Sequence, residues 1–147
     1  MIRIAVGPEP IDIAAEMELV EAGENGAVAT FTGLVRSDDG VSTLELEHYP
    51  GATEAALAEV AAAATERWSL AAATIVHRVG PMRPGERIVF VATAAAHRGA
   101  ALDACAYLID RLKTDAPFWK RETRGAEPRW VEARAADDQA AARWSVD

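Results

Sequence analysis

The sequence predicts an α+β fold, a mixed or largely antiparallel sheet with two long helices packed on it, and three patterns lead there. Runs rich in small and β-branched residues, such as "GAVATFTGLVR" and "RIVFVATAA", have the composition and length of strands. Two long stretches, one ending at Trp68 and one covering "RGAALDACAYLIDRLK", carry apolar residues at helical spacing. Turn clusters join some strands directly, so strand and helix alternate only in part and a regular parallel wind is disfavoured.

Taken in order, "IRIAV" reads as a short strand. "PIDIAAEMELVEA" follows as a helix, with Asp12 as N-cap and Gly23 as stop. "GAVATFTGLVR" ends at the turn "SDDG", and "STLELEHY" alternates with Leu44 and Leu46 on one face and Glu45 and Glu47 on the other. These two strands are predicted to pair as a hairpin. Pro50 and Gly51 end the strand, Thr53 is the predicted cap, and Leu57, Val60, Ala61, Ala64 and Trp68 form the apolar stripe of a helix. "ATIVHRVG" and "RIVFVATAA", joined by "PMRPGE", form a second strand pair, and the second long helix follows. Pro117 stops that helix, "FWKRET" and "RWVEAR" pair across "RGAEP", and "DDQAAARW" is a last short helix.

A chain of 147 residues fits one domain, 1–147, with no repeat or linker dividing it. The first residues are too short an apolar run for a signal peptide, and no stretch reaches the roughly 18 apolar residues of a spanning helix, so no membrane partner and a cytoplasmic location are expected. One cysteine excludes an internal disulfide and a thiolate metal cluster. The net charge of −8 disfavours nucleic acid, although from His97 to Arg134 basic residues outnumber acidic ones and admit a small anion.

Lysine is the unusual residue. The chain has thirteen arginines and only two lysines, Lys113 and Lys120, both within "LKTDAPFWKRE". A guanidinium stays protonated at physiological pH, so a site that needs a titratable or nucleophilic amine must use lysine. Lys113 falls in the last turn of its helix, where the dipole favours a cation in any case. Lys120 shares a strand face with Phe118 and Glu122, while Trp119 and Arg121 share the other. Partial burial and a second lysine nearby would both lower a lysine pKa towards acid–base use.

His97, Arg98 and Gly99 mark a strand-to-helix corner whose free N–H groups attract anions. Arg36 reaches the same place if its strand lies beside the one ending at His97. His48 and His77 lack a second ligand at metal spacing and read as structural, so neither a metal site nor a cofactor is predicted. Cys105 lies on the helix face of Ala101, Leu108 and Leu112 and reads as a buried thiol, not a nucleophile.

"GAVATFTGLVR", "LELEHYPGAT", "ERWSL", "HRVGPMRPGE", "AAAHRGAALDA", "LKTDAPFWKRE" and "RWVEAR" resemble, in order and spacing, the molybdopterin synthase catalytic (large) subunit family over nearly the whole chain. The resemblance implies an α/β hammerhead-type fold, a homodimer, and a small ubiquitin-like sulfur-carrier subunit at each end to make a heterotetramer. It implies a sulfurtransferase that moves two sulfurs from the thiocarboxylate on the carrier's Gly-Gly tail to cyclic pyranopterin monophosphate, forming the molybdopterin dithiolene. By matching motif, Lys113 and Lys120 stand at the family's essential lysines. Arg36, His97, Arg98, Arg121 and Glu122 stand at its pterin-phosphate pocket, and Arg134 at a residue contributed across the dimer. Leu34 stands where relatives often carry lysine, and the loop "SDDG" is short, which implies a less basic rim. The competing expectation is a non-catalytic dimeric module that senses a phosphorylated metabolite, for which the arginines and the helix start would suffice. An independent phosphatase lacks a metal set or an activated nucleophile.

Overall fold

The computed structural model describes residues 1–36, 40–124, 127–130 and 135–144. In chain order these form β1 (Ile2–Gly7), α1 (Ile13–Glu21), β2 (Ala27–Leu34), β3 (Val41–His48), α2 (Ala52–Trp68) and β4 (Ala72–Arg78). β5 (Gly80–Met82), β6 (Arg87–Ala95), α3 (Arg98–Asp115), β7 (Phe118–Arg124), β8 (Glu127–Trp130) and α4 (Ala135–Ala142) complete them. Two four-stranded sheets result, in the orders β1-β4-β6-β2 and β5-β3-β7-β8. β1 and β4 are parallel, and the other pairings are antiparallel, so the first sheet is mixed as expected.

β6 is buried on both faces, and the period-two alternation of its side chains explains the layers. Val89, Val91, Thr93 and Ala95 pack with the α2 and α3 side, where Leu57, Val60, Ala61 and Ala64 meet Ala101, Ala104, Cys105, Leu108 and Leu112. Phe90, Ala92 and Ala94 face α1, packing against Ile11 and Val20. Thr93 is buried there because its hydroxyl donates to the Ala101 carbonyl at 2.6 Å, which ties β6 to the first turn of α3. A third cluster of Val35, Leu44, Leu46 and Met82, with Ile88 beside it, seats the second sheet on the end of the first. Burial of side chains such as Phe90, Leu57 and Leu108 contributes about 1.5–3 kcal/mol each. No helix among the described residues is long and apolar enough to cross a membrane.

Three local expectations change. β2 and β3 do not form a hairpin: β2 pairs with β6, and β3 lies between β5 and β7. The small residues of β2 suit a place under α3, whereas the Glu45/Glu47 face of β3 needs a sheet with one side open, so tertiary packing overrides the local turn. Val35 confirms the divergence by pairing its backbone with Gly85 and Glu86 ahead of β6. Thr53 is not the cap of α2: Gly51 takes that place at φ 87°, and Glu54 accepts from its N–H at 3.1 Å. The strand opposite β7 starts earlier than "RWVEAR", at Glu127, and residues 131–134 of that motif lie outside the described residues.

Gly26 donates its N–H to Ala95, and a Cβ there would run into the Ala96 carbonyl. Gly26→Ala is expected to lose about 1–3 kcal/mol through forced backbone movement. Gly99, in the first turn of α3 with open space around it, is expected to gain about 0.5–1 kcal/mol as Ala. Urea denaturation of both variants checks the contrast, and equal shifts would contradict the packing at Gly26.

Candidate active site

The two lysines flank an abrupt change from helix to strand. Pro117 has no N–H to extend α3 and disfavours helical geometry at Ala116, whose φ and ψ are −86° and 129°. The last helical bond runs from Ala116 N–H to the Leu112 carbonyl, and β7 begins at Phe118. Lys113 therefore stands in the last turn of α3, and Lys120 in β7.

Cross-strand register assigns the faces of β7. Phe118, Lys120 and Glu122 stand opposite His48, Leu46 and Leu44, so the Lys120 side chain shares its face with the third apolar cluster. Lys120 is about one-third exposed, and its Nζ lies 3.8 Å from Oε1 of the largely buried Glu122. Arg121 projects to the other face and pairs with Glu45 directly across from it, while Trp119 meets Tyr49 edge to face with ring centroids 5.9 Å apart. Within one chain Arg121 is thus separated from the Lys120 face by the sheet. The alternation expected from the sequence accounts for that, and the motif match alone would miss it.

His77 joins this end of the molecule, which its reading as a lone structural histidine does not anticipate. Its ring stacks on Phe118 at 4.1 Å and 24°. Nδ1 lies 2.8 Å from the Arg78 carbonyl, which only accepts, so the neutral ring carries its proton on Nδ1. Burial pushes the imidazole from 6.5 down to about 4, the Arg78 bond opposes this, and the positive charges of Lys113 and His48 add to the depression. The field of Lys113 at His77, together with the Phe118 stack, brings Lys113, Phe118 and the start of β7 into one neighbourhood. The contact joins residues 41 positions apart, and no local spacing signals it.

The anion-binding candidates divide between two ends. β2 is antiparallel to β6, with Leu34 opposite Arg87 and Ala27 opposite Ala95. Arg36, exposed beyond Leu34, is therefore at the Arg87 end, as is His77 opposite Val89. His97 and Arg98, both exposed, follow Ala95 at the far end. Helical rise of about 1.5 Å per residue puts Arg98 roughly 22 Å from Lys113 along α3. Adjacent strands do not bring Arg36 to His97, because adjacency here is antiparallel. Arg36, Lys113 and Lys120 share one end of the chain, His97 and Arg98 occupy the other, and Arg134 lies outside the described residues. His97 is the N-cap of α3 in extended conformation, and its side chain makes no capping bond. Cys105 is buried within the core, and burial pushes its thiol up to about 11, which suppresses the thiolate.

The depressed His77 gives a pH signature. Between pH 6.5 and about 4 the unfolded chain binds the proton that the folded chain refuses, so folding stability falls as pH falls through that window. The loss attributable to His77 is on the order of 3 kcal/mol. His77→Phe keeps an aromatic stack and removes the titration. The stability difference between wild type and variant should therefore change across this window, measured by urea denaturation at several pH values, and a constant difference would contradict the buried neutral imidazole.

Comparison with known proteins places the chain in a family. The family model described as "MoaE protein" matches residues 6–115. The Escherichia coli (strain K12) molybdopterin synthase catalytic subunit is 51% identical over 146 residues, covering 97% of each chain. The solved MoaE protein of Burkholderia ambifaria MC40-6 superposes with a TM-score of 0.87 at 47% identity, over the full length of both chains. A chain from the complex of subunits 1 and 2 of the molybdopterin-converting factor of Helicobacter pylori 26695 shares the fold, with a TM-score of 0.76 at 21% identity, covering 90% of this chain and 91% of that one. The chain therefore belongs to the MoaE family, the catalytic subunits of molybdopterin synthase, which are sulfur-transferring enzymes of molybdenum cofactor biosynthesis.

Proposed function

We propose that Lys113 and Lys120 carry the sulfur-transfer chemistry, and that the observation supporting this most is the gathering of the chain's only two amine side chains around the α3–β7 joint. Sulfur comes from outside the chain, as the thiocarboxylate on the Gly-Gly tail of a small ubiquitin-like carrier, and is placed twice on cyclic pyranopterin monophosphate. Lys120, half-buried beside Glu122, binds and polarises the pterin near the attacked carbons. Lys113 holds the thiocarboxylate or moves a proton as sulfur attacks. The solved Helicobacter pylori complex, in which subunits 1 and 2 of a molybdopterin-converting factor are bound together, supports a small-subunit partner.

His97 and Arg98 anchor the cyclic phosphate in this reading, with Arg36 and Arg134 completing the charge around it. One chain cannot bring all of these to its own lysines, since His97 and Arg98 sit at the opposite end from Arg36 and Lys113. A homodimer that sets one protomer's His97–Arg98 corner against its partner's lysine end supplies the complete set twice, once for each carrier of a heterotetramer. The metabolite-sensing alternative gives no role to the lysines, and membership in an enzyme family favours the catalytic reading.

The test is dithiolene formation from the pterin precursor and thiocarboxylated carrier. Lys113→Arg and Lys120→Arg keep the charge and should each lose at least about tenfold in rate while folding normally. Cys105→Ala should retain sulfur transfer and lose about 1 kcal/mol of stability or somewhat more, because a buried thiol of raised pKa is packing, not chemistry. Near-native turnover in both lysine variants would show that positive charge alone suffices, and a folded but inactive Cys105→Ala would redirect the sulfur through this chain.

A further inference from the structure

Two buried side chains outside the proposed chemistry meet the three-residue joint between the lysines. Thr53, fully buried in the first turn of α2, donates its hydroxyl to the Pro117 carbonyl at 2.8 Å and accepts from the Tyr49 N–H at 3.0 Å. Both directions are unambiguous, because a carbonyl only accepts and a backbone N–H only donates. Thr53 thus ties the end of β3 and the start of α2 to the residue that ends α3. One position further on, Phe118 rests on the His77 ring, which projects from the first sheet. The joint is held through its backbone at Pro117 and through its side chain at Phe118.

We propose that Thr53 and His77 are positioning residues for sulfur transfer, clamping residues 116–118 so that the amines of Lys113 and Lys120 keep a fixed separation and direction. This deepens the lysine reading and rests on it. The physical reason is that the last turn of α3 passes into β7 through a short extended link whose own backbone N–H groups do little to fix it. The Ala116 N–H is spent on Leu112, and Pro117 has no N–H at all. Without the Thr53 hydroxyl, the Pro117 carbonyl and the Tyr49 N–H lose a buried partner, and the link relaxes to satisfy them. A displacement near 1 Å at reacting groups costs on the order of a hundredfold in rate.

Thr53→Val removes the hydroxyl at nearly constant volume, and Thr53→Ser retains it. In single-turnover assays of the assembled complex with thiocarboxylated carrier and precursor, Thr53→Val should be at least about tenfold slower and Thr53→Ser within about threefold of wild type. A second readout does not depend on activity. Because the chain has two lysines, selective ¹³C labelling at lysine gives two side-chain signals, and both should move in Thr53→Val and stay in Thr53→Ser. Unmoved signals with a wild-type rate in folded Thr53→Val, or a Thr53→Ser as slow as Thr53→Val, would overturn the clamp. Moved signals with a wild-type rate would instead show that lysine placement does not govern turnover, which overturns the lysine reading on which the proposal rests. If Thr53→Val does not fold, His77→Leu against His77→Phe tests the same joint from the other side. Loss of rate with Leu and retention with Phe supports the clamp, and equal rates overturn it.

Discussion

The antiparallel pairing of β6 with β2 and β4, followed by the return of α3 across the same sheet, is the constraint on which the remaining geometry depends. Once β6 runs from Arg87 to Ala95 and α3 runs back, every residue at the beginning of β6 shares an end with the last turn of α3. Arg36, His77 and Lys113 are collected by that rule, and β7 then delivers Lys120 to the same end. His97 and Arg98, at the turn itself, are excluded from it. Strand direction, a property of the backbone alone, decides which charges one chain can bring together and which it keeps apart.

Small residues make the arrangement dense enough to hold. Ala73, Ala95, Ala61, Ala64, Ala101 and Ala104 line the contact of α2 and α3 with the first sheet and are all fully buried or nearly so. Close approach of this kind raises the number of dispersion contacts per residue and leaves little room for helices to slide. α3 is further pinned at its start by the Thr93 hydroxyl, and at its far side by Trp144, whose indole N–H donates to Asp110 at 2.7 Å and whose ring meets Trp68 and Tyr107 edge to face. A helix held at its start and along its outer side presents Lys113 from a defined direction. The second sheet is braced differently, through the Arg121–Glu45 pair on one face and the Leu44, Leu46 and Met82 cluster on the other.

Much of this is legible in the sequence because it depends on short-range pattern. The alternation that separates Lys120 and Glu122 from Arg121, the stop at Pro117, the helical stripe that buries Cys105 and the lysine usage itself are all local properties. What is not legible depends on partner choice. Nothing within "GAVATFTGLVR" states that its partner is β6 and not the next strand, so the hairpin expectation fails; nor does it state that the pairing with β6 is antiparallel, which keeps Arg36 from the His97 corner even though the two strands are neighbours. Thr53 reads as a cap because Thr at a helix start usually is one. The acceptor of its hydroxyl, the Pro117 carbonyl, is 64 residues away. The His77–Phe118 stack has the same character: each residue is ordinary in its own strand, and the contact exists only once two sheets are packed.

Complementation measures most directly whether one chain's lysine end and its partner's His97–Arg98 corner form a single site. Lys120→Arg and Arg98→Ala, each impaired alone, are combined by co-expression with different affinity tags so that mixed dimers can be isolated and counted. In a two-fold symmetric dimer, random assortment of the two variants makes half the dimers mixed, each with one intact and one doubly impaired site, so the unfractionated mixture should recover roughly a quarter of wild-type activity. Mixed dimers that form and show no recovery would contradict the shared site, leaving His97 and Arg98 outside the one that the lysines serve.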